Sequence, residues 1–126
     1  MALIEFYNYL NEVLTKIRDS YKIIEHLKDN PGDLDIIKKE LAKITGLLKV
    51  TRKKLETIDD SSDKYVRLLT ATNFFLENYS FEREIETMSK LYSEDSHRLK
   101  NIRYSIIEAL NEKKLIATIY SIIGTS

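Results

Sequence analysis

Apolar residues recur at intervals of three and four along nearly the whole chain, and that spacing permits little besides helices packed side by side. The first series runs Leu3, Phe6, Leu10, Val13, Ile17, Ile24 and Leu27, with Ser20 in the one polar place. Side chains three and four apart share one face of an α-helix, so a helix is predicted over about residues 2–28. At ~1.5 Å per residue it would be ~40 Å long, a length typical of helical bundles.

The segment KDNPGD stops it. Asn30 is suited to cap a new helix, Pro31 to its first turn and Asp33 to the positive end of its dipole. Leu34, Ile37, Leu41, Ile44, Leu48, Leu55 and Ile58 then repeat the spacing, with Thr51 in the missing place. A turn this short makes the first two helices an antiparallel hairpin.

DDSSD at 59–63 is the next break, with Ser61 or Ser62 as cap. Its alternating acids resemble a calcium loop only in part, because the sharp-turn glycine and the twelfth-position glutamate are missing. A third, aromatic helix is predicted over about 64–79. After a weak boundary at NYSF, the register Phe81, Ile85, Met88, Tyr92, Leu99, Ile102, Ile106, Ala109, Ile116, Tyr120 and Ile123 continues to Gly124, a natural left-handed stop. Asp95 and Lys113 fall improperly on core positions. The last region is expected to be one continuous helix, the other form being a break near 93–96. The fold class is therefore all-α: a single domain over 1–126, built as an antiparallel bundle of four long helices.

Chemistry is constrained mainly by what the chain lacks. With no Cys there is no disulfide, thiolate metal site or cysteine nucleophile. The three glycines are scattered, so no phosphate-cradling loop exists. Glu94 and His97 form one Glu-x-x-His element, whereas two-metal carboxylate bundles need two such elements and two further glutamates. The other histidine, His26, has Ile23 three places before it, and Arg98, Lys100 and Arg103 crowd His97 with positive charge. No enzyme and no cofactor is expected, and a carboxylate-metal enzyme ranks as the third reading.

Lys plus Arg number 20 and Asp plus Glu number 20, so no net charge draws the molecule to a polyanion or membrane. No stretch is long and apolar enough to span a bilayer, and the expected location is cytoplasmic. Abundant Lys, Glu and Ile, without Cys, Trp or Gln, lean towards a hyperthermophile or its mobile element.

The leading function is a non-catalytic protein-interaction module: an adaptor, inhibitor or assembly subunit. Its motive is LIATIYSII, whose apolar residues cover an arc of roughly 160°, wider than the ~100° a one-sided helix needs. Ile119, Tyr120, Ile122 and Ile123 are the expected contacts with a protein partner or a second copy, with Phe75 and Tyr9 as outward-facing aromatics. The other reading is a nucleic-acid-binding or nucleoprotein subunit. It would use Lys49, Arg52 and Lys53 on one face, and Arg98, Lys100 and Arg103 on another.

Overall fold

A computed structural model describes residues 2–92 and 94–124. Met1, Ser93, Thr125 and Ser126 lie outside the described residues, as do the side chains of Ala2 and Leu3. The described residues are helical and include no strand: α1 (Ala2–Glu25), α2 (Asp33–Thr57), α3 (Asp63–Asn78), α4 (Glu82–Leu91), α5 (Ser96–Asn111) and α6 (Leu115–Ile123), with one turn of 3-10 helix at Glu112–Lys114.

The all-α class holds, but four long helices do not. Only α1 and α2 are long, and the region expected to be one continuous helix after residue 81 is three pieces. The first interruption falls between α4 and α5, and Asp95, the supposed intruder in the core register, caps α5 by accepting a hydrogen bond from the Arg98 amide at 3.1 Å. The second lies at Lys113 and Lys114, both in left-handed backbone (φ 54° and 58°). That conformation ends α5 and re-aims the chain into α6.

The other two misfits in the apolar series are polar residues with partners. Ser20 is buried and donates to Glu40 Oε1 at 2.8 Å; Thr51 is fully buried and donates to the Leu47 carbonyl at 2.9 Å. Burying a hydroxyl costs little once its hydrogen bond is made.

α1 and α2 pack along their length in opposite directions. Lys54 lies over Tyr9 at one end of the pair, and Glu40 meets Ser20 towards the other. The turn between them is longer than expected: α1 ends at Glu25, Asn30 and Pro31 precede α2, and Gly32 takes the left-handed conformation (φ 95°) that glycine tolerates best. Asn30 and Asp33 still bond reciprocally, the Asn30 amide donating to Asp33 Oδ2 at 2.9 Å and the Asp33 amide to the Asn30 carbonyl at 3.0 Å.

α6 packs on α1, α3 and α5. Its Leu115, Ile116 and Ile119 enter one core with Leu14, Ile17, Ile44, Leu48, Leu68, Leu99 and Ile106. Removing a single buried Leu or Ile side chain from such a core costs about 2–5 kcal/mol. Gly124 closes α6 as expected, at φ 78° with its amide donating to the Tyr120 carbonyl.

Candidate binding surface

The wide apolar arc of the C-terminal segment is covered mostly from within. Ile119 is fully buried, and Tyr120, Ile122 and Ile123 are half-buried against the core. Phe75 is buried as well, so neither Ile119 nor Phe75 offers a surface in this fold. Tyr9 is exposed, and its ring carries the Lys54 ammonium at 5.3 Å.

The two predicted basic faces have different environments. Arg103 is buried, and its guanidinium donates to both Asp29 oxygens (2.8 and 3.0 Å) and to the Glu25 carbonyl (3.2 Å). It closes the carboxyl end of α1, and the hydrogen bonds it donates to Asp29 hold its pKa further above the usual arginine value. Arg98 pairs with Asp95 at 3.5 Å and stacks over Tyr92 at 3.7 Å; Lys100 lies 5.6 Å above the Tyr104 ring. Internal partners therefore occupy most of this second face, and Arg103 is inaccessible to any ligand.

The first face is free of such pairing and larger than expected. On α2, Lys49 and Lys53 are exposed and Arg52 is half-exposed, and none has an ion-pair partner among the described residues. Lys38 and Lys39, which sequence reasoning did not single out, extend the same outer face and are likewise unpaired. Lys38 and Lys53 are separated along the helix by about 22 Å at 1.5 Å per residue. Between Asp35 and Glu56 the only acid is Glu40, which is 4% exposed and engaged by Ser20 and Lys43. Every other charge on that stretch is positive: Lys38, Lys39, Lys43, Lys49, Arg52, Lys53 and Lys54. The signal was present in the sequence as a run of α2 with one acid, and it was diluted there by the neutral total.

Two grooves flank this face, with Ala42 and Gly46 on the ridge between them. One, about 510 Å³, follows the α1–α2 seam past Ile23, Leu47 and Val50. The other, about 610 Å³, lies between α2 and the elbow joining α3 to α4. Its walls differ in charge: Lys38 and Lys49 stand on the α2 side, Glu82 and Glu86 on the α4 side. Its floor is the half-buried Tyr79, which packs against the buried Phe75 and Phe81. The elbow builds that floor, because Tyr79 leaves α3 in extended backbone (φ −126°, ψ 136°) and the chain re-enters a helix only at Glu82. The Tyr79 and Phe81 rings are parallel within 2° at a centroid separation of 6.2 Å, and Phe75 packs on Tyr79 at 5.7 Å. Burial and the nearby Glu112 carboxylate raise the Tyr79 pKa, so its hydroxyl is neutral at physiological pH.

Glu94 and His97 are exposed, on either side of the α5 cap. Among the described residues no three His, Asp or Glu side chains gather closely enough to hold a metal ion, and no helix is long and apolar enough to cross a membrane. No protein-family model, no curated protein and no solved structure matches this chain.

Proposed function

We propose that this protein is a non-catalytic nucleic-acid-binding subunit whose working surface is the outer face of α2. The observation that supports the reading is the unpaired row Lys38, Lys39, Lys49, Arg52 and Lys53, on a helix stretch whose one acid is buried. Cations held in a row by a rigid helix suit a ligand whose negative charges are themselves in a row, and contacts with phosphates displace condensed counterions. Ala42 and Gly46 keep the middle of the face low, so a backbone can approach between the lysines.

Fluorescence anisotropy with a labelled oligonucleotide tests this. Affinity is expected to fall linearly with log salt; about four phosphate contacts give a slope near −3. Lys38→Glu with Lys49→Glu is expected to abolish binding without loss of helicity. No binding at low salt, or a flat salt response, would overturn the reading.

A second reading, an assembly subunit that joins copies of the chain, draws on Leu91, which is 68% exposed at the end of α4 beside the exposed Tyr92. Large apolar side chains grouped at the surface are a feature of protein interfaces. Sedimentation equilibrium decides it: an oligomer that Leu91→Lys dissociates supports the reading, and a monomer at high concentration removes it.

A further inference from the structure

We propose that the groove between α2 and the α3–α4 elbow holds an unpaired base, which makes single-stranded nucleic acid the ligand. The inference rests on the phosphate-binding reading of α2 and adds to it the second wall and the floor. A nucleotide has one anionic end and one flat, aromatic end whose edge carries amino and imino donors. The groove is divided in the same way. Lys38 and Lys49 form one wall, the half-buried Tyr79 lies on the floor packed against Phe75 and Phe81, and Glu82 and Glu86 form the opposite wall.

Phosphates on the α2 wall would place the attached base over the aromatic floor, where stacking is tolerant of sequence. Carboxylates on the far wall accept hydrogen bonds from base amino groups, as acidic side chains do when they read cytosine. The volume of about 610 Å³ lies within the ~300–1,000 Å³ usual for sites that enclose a small ligand. A duplex fits less well. Its bases already stack on one another, and its second backbone would approach Glu82 and Glu86, repelled by like charge.

The test compares four labelled or competing polymers at one low salt concentration. They are a single-stranded oligonucleotide, an abasic oligonucleotide of equal length, a duplex, and poly-glutamate of equal charge. The base-bearing single strand is expected to bind about tenfold more tightly than the abasic strand, equivalent to one stacked base. Tyr79→Leu should erase that difference while leaving the abasic affinity unchanged, and Tyr79→Trp should keep it. If Tyr79→Leu fails to melt cooperatively, Glu82→Lys on the exposed rim serves instead: duplex affinity should rise towards that of the single strand.

Equal affinity for base-bearing and abasic strands would overturn the base site and leave the α2 reading intact. Failure of every oligonucleotide to bind would remove both. Displacement by poly-glutamate as effective as by the single strand would overturn the proposal in favour of an acidic protein segment, and no change in duplex affinity on Glu82→Lys would remove the role given to the far wall.

Discussion

Asp29 and Arg103 meet across 74 positions of sequence, and both side chains are nearly sealed from solvent. Breaking such a pair from one side strands the remaining charge. Asp29→Asn preserves the short polar side chain that tolerates the left-handed backbone there (φ 63°) and removes only the charge. It is expected to cost about 2–4 kcal/mol in urea denaturation, below the full penalty of a completely buried pair because a tenth of each side chain remains wet. The pairing also explains why Arg103 could be mistaken for a ligand contact: its sequence neighbourhood is basic, and nothing local announces an aspartate so distant. A second tertiary bond joins Tyr7 to Asp60, the phenol donating to Oδ2. That bond, followed by burial, pushes the Tyr7 pKa up to about 12. A folded-state pKa raised above the unfolded value contributes stability that is complete below about pH 10 and is lost as pH climbs towards 12. Asp60 responds oppositely: hydrogen bonds with Ser62 and Tyr7 lower its pKa, so its share is present above the ordinary carboxylate range and disappears in acid. Thermal melts at about pH 9 and about pH 11 should show wild type losing more stability than Tyr7→Phe.

Among the helices, α2 carries one plain inefficiency. Gly46 sits in its middle, and a Cβ built there meets nothing within 4 Å. Gly46→Ala is therefore expected to stabilise the fold by about 0.5–1 kcal/mol, read as a higher melting temperature. α1, α2 and α3 were legible in the sequence to within a few residues because each carries an apolar stripe ended by turn chemistry. The apolar register after residue 81 was legible except at Tyr92, which is exposed, but a register reports which side chains face inward and not whether the backbone between them is straight. Asp95 and Lys113, the two residues that spoiled it, mark both breaks. Lys49, Arg52 and Lys53 could be read as one face from their spacing alone. The aromatic floor could not, because Phe75, Tyr79 and Phe81 come together only through the elbow, and no helical period predicts which way an extended tyrosine will point.

Zero net charge conceals a strong separation of sign. With seven cations and one buried acid between residues 36 and 55, the rest of the surface holds the compensating excess of carboxylates. Local potential, and not the total, governs retention on a charged matrix. Despite a sequence pI of about 6.7, the protein is expected to bind a cation exchanger at neutral pH and to elute with moderate salt. Lys38→Glu with Lys49→Glu should abolish that retention, whereas Lys100→Glu on α5 should leave most of it. The placement of α6 bears on how the molecule is made. Leu115, Ile116 and Ile119 complete a core whose first members, Leu10 to Ile17, leave the ribosome about a hundred residues earlier. Until α6 packs against α1, part of the apolar side of α1 has no cover, the kind of surface through which incomplete chains aggregate. The core is complete only once the segment 115–123 has joined it.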